Sequence, residues 1–239
     1  MNNWRFLDSG KNLGAYNMAV DEELLARAQA GEAMPMLRLY SWDPPAVSLG
    51  RFQKIENSVN TESCTRHGID IVRRITGGRA VLHHNELTYS IIARTDTPLF
   101  PSNVLGTYKV IASCLLAGLK NLGIDAEMVS RANRHAHLVK KGSKDPACFS
   151  SPSWYEILAR GRKIIGSAQR RLSSAFLQHG SILMDYDPAL EAEVIPGGCP
   201  GDVVTSVNRE LGRSIPLEEV KQAFVTGFSE TLGIEFLRQ

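Results

Sequence analysis

The order of its periodic segments most constrains this chain. Strand-like runs follow one another instead of alternating with helices. MLRLYSW and AVSLGRF flank Asp43-Pro44-Pro45 and read as two strands joined at a turn. IDIVRRIT is a strand running into Gly77-Gly78. LTYSIIAR follows, with Leu87, Tyr89, Ile91 and Ala93 on one face. A strand is expected near residues 126–130, and hairpin-like strands over 154–184, punctuated by Gly161, Gly166 and Gly180. Helices are fewer. Residues 15–30 carry Ala15, Met18, Leu24, Leu25 and Ala28 at helical spacing before Gly31. Residues 54–67 fit a short polar helix ending at Gly68. Residues 104–122 form the clearest amphipathic stripe (Leu105, Tyr108, Ile111, Leu115, Leu119, Leu122), stopped by Gly123. Residues 217–232 form a last helix between Pro216 and Gly233. Strands in runs predict an α+β fold: a mixed, mostly antiparallel β-sheet flanked by helices.

Bulk properties narrow the class. At 239 residues, 43% hydrophobic and 22% charged, the chain can bury a full core, and one domain over 1–239 is the simplest organisation. A net charge of +2 gives no case for nucleic acid. The four cysteines, Cys64, Cys114, Cys148 and Cys199, lack metal-ligand spacing, so no metal site is expected. The N-terminal MNNWRFLDSGKN has no signal pattern and no apolar run reaches membrane length. A cytoplasmic protein with reduced thiols is expected.

Three stretches carry chemistry. In RRITGGRAVLHHNELTYS (73–90), adjacent glycines let a backbone approach a ligand, and Arg73, Arg74 and Arg79 surround them with cations suited to phosphate or carboxylate. In GRKIIGSAQRR (161–171), Lys163 opens an apolar strand. A desolvated lysine there can serve as a base or a fixed cation, and Gly166-Ser167 allows a second close approach. The basic run RANRHAHLVKKGSK (131–144) is a solvated loop or a docking surface for an acidic partner. It leads to Cys148 in DPACFSSPSWYEI. Cys148 is either a buried filler or a nucleophile, and its Pro and Ser neighbours place it on a loop. Cys199, in GGCPG, is a rival loop thiol with no cations beside it. Cys114 lies beside a helical stripe and reads as packing.

These motifs, in this order, together with YNMAVDEELL before them and LQHGSILMD after, resemble the biotin/lipoate protein ligase and octanoyltransferase superfamily, LipM-type octanoyltransferases in particular. The resemblance implies a biotin/lipoate ligase-type catalytic domain. It would transfer an octanoyl group from octanoyl-acyl carrier protein to a lysine of a lipoyl-domain protein, such as the glycine-cleavage H protein. It implies Cys148 as the acyl-bearing nucleophile and Lys163 as the essential lysine. It implies Arg73, Arg74, Thr76, Gly77, Gly78, Arg79, Ala80 and His83, with Gly166, Ser167 and Ala168, as substrate-binding residues. Val81, Leu82 and Ile165 are candidate walls for the acyl chain. Oxyanion donors are expected near Gly77–Gly78 or Gly166–Ser167. His84 stands where an aspartate is common in that group, and Glu86 is an acid close by. No cofactor is expected. ATP and magnesium enter only if the chain is instead a lipoate–protein ligase, which needs no cysteine. An amidotransferase between lipoyl proteins and a non-catalytic binding module are the other readings.

Overall fold

The computed structural model describes residues 2–129 and 156–237. In chain order these form β1 (Asn2–Asn12), α1 (Gly14–Ala30), β2 (Met36–Trp42), β3 (Ala46–Leu49), α2 (Thr61–Arg66), β4 (Asp70–Arg73), β5 (Val81–His83), β6 (Glu86–Arg94), α3 (Val104–Asn121) and β7 (Ala126–Met128). Then come β8 (Ile157–Ala159), β9 (Arg162–Arg171), β10 (Ala175–Leu183), α4 (Pro188–Val194), α5 (Val207–Leu211), α6 (Leu217–Leu232) and β11 (Ile234–Leu237). A single 3₁₀ turn, Ile55–Asn57, precedes α2. It splits the polar helix expected over 54–67 in two. The basic run 131–144 and Cys148 lie outside the described residues.

Eight strands form one sheet in the order β11-β1-β2-β6-β10-β9-β8-β7, and three form a second in the order β4-β3-β5. The expected mixed, mostly antiparallel arrangement is observed: only β11–β1 and β1–β2 run parallel in the large sheet. The strands flanking Asp43-Pro44-Pro45 do not pair with each other. The chain leaves the large sheet after β2 and enters the small one at β3. The β8–β9 connection is Arg160-Gly161, both at positive φ (48° and 74°), the two-residue geometry that matches strand twist.

The two faces of the large sheet are buried differently. On one, Leu87, Tyr89, Ile91 and Ala93 of β6 join Ile111, Leu115 and Leu119 of α3 and Phe224 and Phe228 of α6 in the main core. On the other, α1 packs Leu24, Leu25 and Ala28 against Met36, Ile92 and Leu177. The stripe that buries α1 also includes Asn17 and Asp21 in its first half, so this helix brings polar groups into the interior. β1, β5, α4, α5 and β11 have no counterpart in the sequence reading. The three helices and strands among them that are shortest span only three to five residues, too few for periodicity to register. No helix among the described residues is long and apolar enough to cross a membrane.

The helices α3 and α6 meet at two glycines. A Cβ on Gly227 would lie 2.5 Å from the backbone N of Gly118 and 2.9 Å from the carbonyl of Cys114. A backbone cannot rotate away, so Gly227→Ala must push the helices apart. Overpacking costs about 1–3 kcal/mol, and alanine's better helix propensity returns about 1 kcal/mol. A clash of 2.5 Å with backbone belongs in the upper half of the overpacking range, so the expected net loss of about 1–2 kcal/mol lowers Tm by roughly 2–8 °C in a chain of this size. An unchanged or raised Tm in a thermal melt would refute this account.

Candidate active site

On the α1 side of the large sheet, three neighbouring strands carry small or polar residues. Ser181 of β10 lies opposite Thr88 of β6 and Gly166 of β9. One layer along, His179 lies opposite Ser90 and Ala168. These short side chains leave a small recess of about 30 Å³, whose other walls are Met18, Tyr40, Trp42, Ser48, Arg74, Val81 and His83. Buried Ser181 Oγ has no hydrogen-bond partner among the described residues.

The glycine loop, residues 74–80, forms one shoulder of this recess. It is clamped by its own arginines. Arg74 Nη1 donates to the carbonyl and hydroxyl of Ser48 (2.7 and 2.9 Å), and Nη2 to the carbonyls of Gly77 and Arg79 (2.9 and 2.6 Å). Arg73 Nη1 donates to the carbonyls of Gly50, Arg51 and Gln53, fixing the adjacent turn. The guanidinium groups of Arg73 and Arg74 are thus bonded within the protein, to backbone carbonyls and to the Ser48 hydroxyl. A Cβ on Gly50 would lie 2.0 Å from the Gly78 carbonyl oxygen, so only glycine lets the two segments pass.

Two acid–histidine–hydroxyl chains border the recess. Asp21 Oδ2 lies 3.0 Å from His179 Nδ1, and His179 Nε2 lies 2.8 Å from Thr76 Oγ1. The carboxylate can only accept, so Nδ1 carries the hydrogen. On a neutral ring, Nε2 then accepts from the Thr76 hydroxyl. Asp21 also pairs with Arg38 Nη1 (2.7 Å) and accepts from the Tyr40 hydroxyl (3.0 Å). Burial pushes the Asp21 carboxyl up. The hydrogen bond and charge of His179 and the Arg38 guanidinium outweigh it, holding Asp21 below the usual range. In the second chain, Ser48 Oγ is 2.8 Å from His83 Nε2, and His83 Nδ1 is 3.6 Å from Glu86 Oε2, beyond hydrogen-bond length. Trp42 stacks on His83 (centroids 3.9 Å apart, 17°) while its Nε1 donates to Thr88 Oγ1. Burial holds the His83 pKa below its ordinary value, against the pull of Glu86.

Of the residues singled out in the sequence, Arg74, His83, Gly166, Ser167 and Ala168 meet at the recess. Thr76 joins through His179. Gly77, Gly78 and Arg79 form the loop beside it, Arg73 braces the turn, and Ala80 packs in the core of the small sheet. Val81 lines the recess, but Leu82 packs against the small-sheet core and Ile165 lies in the main core. Lys163 is 2% exposed, its Nζ 2.5 Å from Glu156 Oε1, and its backbone is bonded to Val203 and Thr205. Cys148 lies outside the described residues. Cys114 is packed, as expected, and burial pushes its thiol up to about 12. Burial also raises the Cys64 thiol. Cys199 is on a loop, but only 2% exposed rather than an open thiol.

The sequence reading gave no role to Asp21, His179, Ser48, Trp42 or Glu156, and mentioned Glu86 only as an acid near His84. Signals existed for two of them. Asp21 falls on the apolar stripe of α1, three residues after Met18 and three before Leu24. His179 sits in a Gln-His-Gly-Ser run within a strand buried along its whole length.

These ionisations make stability depend on pH. Asp21 and His83 both have folded pKa values below their unfolded ones, so the folded chain binds fewer protons. Their contribution is complete above the unfolded values, about 6.5 for histidine and about 3.9 for aspartate. It is lost as pH falls through each window. Native Tm is expected to decline as pH falls below about 6.5, the unfolded histidine value, and that of His83→Gln to decline less. Equal slopes in melts across this range would remove His83 as the cause.

Known proteins share this sequence pattern and this fold. The model of the lipoyl protein ligase A/B catalytic domain matches residues 14–229. The octanoyltransferase LipM of Geobacillus kaustophilus is 40% identical over 97% of this chain and 87% of its own. That of Carboxydothermus hydrogenoformans is 42% identical over 100% and 90%. Among solved structures, a T. acidophilum protein described as a lipoate protein ligase, with bound lipoic acid, superposes with a TM-score of 0.79 at 26% identity, over 99% of this chain and 89% of that one. A lipoate-protein ligase A bound with ATP gives 0.78 at 25%, over 99% and 88%. The chain belongs to the lipoyl protein ligase A/B catalytic-domain family.

Proposed function

We propose that this chain takes octanoyl groups from octanoyl-acyl carrier protein, holds them on Cys148, and passes them to a lysine of a lipoyl-domain protein such as the glycine-cleavage H protein. The chain is an acyltransferase that moves octanoyl groups in protein lipoylation. The observation that carries this activity is identity of about 40% to octanoyltransferases along nearly its whole length. The recess supports it, with apolar walls from Met18, Trp42 and Val81 for an acyl chain and polar groups gathered at Ser48, Arg74 and His179.

In this reading the Cys148 thiolate attacks the donor thioester and the carrier thiol leaves, giving an acyl-cysteine. The acceptor lysine, as a free amine, attacks that thioester, and the cysteine sulfur leaves as an amide forms. Lys163 and Glu156, a buried acid–base pair at 2.5 Å, take up the proton that the amine must lose. The reaction needs no cofactor, runs within one catalytic domain over 1–239, and takes place in the cytoplasm. The basic run 131–144 receives the acidic carrier.

Intact-mass measurement after mixing with octanoyl-acyl carrier protein, without ATP, tests the reading. The native chain and Cys199→Ser should both gain one octanoyl group, released by hydroxylamine, and Cys148→Ser should gain none. Acylation that requires ATP and magnesium, with no adduct on Cys148, would make the chain a ligase instead.

A further inference from the structure

Four side chains bordering the recess are large and apolar enough to cap an alkyl chain: Met18, Tyr40, Trp42 and Val81. Three are pinned. Tyr40 donates its hydroxyl to Asp21 and lies under the Arg38 guanidinium, 4.0 Å from its ring centroid. Trp42 is held by the Thr88 hydroxyl and by stacking on His83. Val81 is β-branched, stiff at χ1, and paired with Ser48 across the small sheet. Met18 differs. It is 7% exposed, projects from α1 and makes no directional bond, and its unbranched thioether has three rotatable bonds. It is the adjustable part of the wall.

Resting on the reading that the recess holds the acyl chain, we infer that Met18 sets the length of chain this enzyme accepts. The sheet-side floor has little give, because Ser181, Thr88 and Gly166 are fixed in register on three paired strands. A chain longer or shorter by one or two carbons must therefore be accommodated at Met18. Shortening this side chain to alanine removes three heavy atoms and opens room for roughly two more methylenes. Enlarging it to phenylalanine fills that space. One methylene in a close-fitting apolar pocket changes selectivity by roughly 10–200-fold.

A competition assay reads this directly. Native chain, Met18→Ala and Met18→Phe are each mixed with equal amounts of hexanoyl-, octanoyl-, decanoyl- and dodecanoyl-acyl carrier protein and the glycine-cleavage H protein. Acyl groups on enzyme and acceptor are then weighed by intact mass. The ratio of chain lengths comes from one tube, so a partly unfolded variant does not distort it. Met18→Ala is expected to raise decanoyl and dodecanoyl relative to octanoyl by about 10-fold or more, and Met18→Phe to favour hexanoyl over octanoyl by a similar factor. Native ratios in both variants would overturn the inference and leave the octanoyltransferase standing. No acyl transfer from any donor by the native chain would overturn the functional reading itself, and this inference with it.

Discussion

The Asp21–Arg38 ion pair joins the layers around the site. Both side chains are essentially inaccessible to water, at 1% and 0% exposure. Burying two charges costs several kcal/mol each unless each finds partners, and here both do. Arg38 donates to Asp21, to the carbonyl and side chain of Asn17, and to Ser9. Asp21 receives Arg38, Tyr40 and His179. The interaction ties α1 to β2 and, through His179, to β10 and the glycine loop. Removing one member would strand the other as a buried charge, a loss of about 3–5 kcal/mol. A hydrophobic trio could glue the same layers, but it could not fix the hydrogen on His179 Nδ1 and so leave Nε2 to face Thr76.

The site sits where two sheets approach each other. β6, β9 and β10 contribute small residues, and β3 and β5 bring Ser48, Val81 and His83. The loop between β4 and β5 is held against the turn after β3 by Arg73 and Arg74, whose fixed fork of donors suits several carbonyls at once. Arginines flanking a glycine pair can therefore serve as internal scaffolding. They preorganise backbone that would otherwise need a ligand to order it.

Much of this architecture is legible in the sequence itself. The long elements have strong periodicity, so α1, α3, α6, β2 and β6 fall within a residue or two of where their patterns place them. The recess residues Arg74, His83, Gly166, Ser167 and Ala168 were found because arginine and glycine clusters stand out locally. The rest is non-local. Asp21 and His179 are meaningful only as a pair, and 158 positions separate them. Ser48 and Trp42 look like ordinary strand residues until β3 and β5 pair across a different sheet from β2. That partition was hidden, because two strands around a proline turn read most simply as neighbours. Edge elements such as β5 and β11 draw their stability from pairing rather than propensity.

The span between Asp21 and His179 also bears on how the molecule comes into being. Pairing across such a distance forms slowly, because loop closure must precede any reward. During synthesis the N-terminal helix leaves the ribosome long before β10 does. Until residue 179 emerges, Asp21 has no imidazole partner and the sheet floor lacks its middle strand. The recess is thus a late product of biogenesis, and a truncated or half-folded chain does not yet possess it.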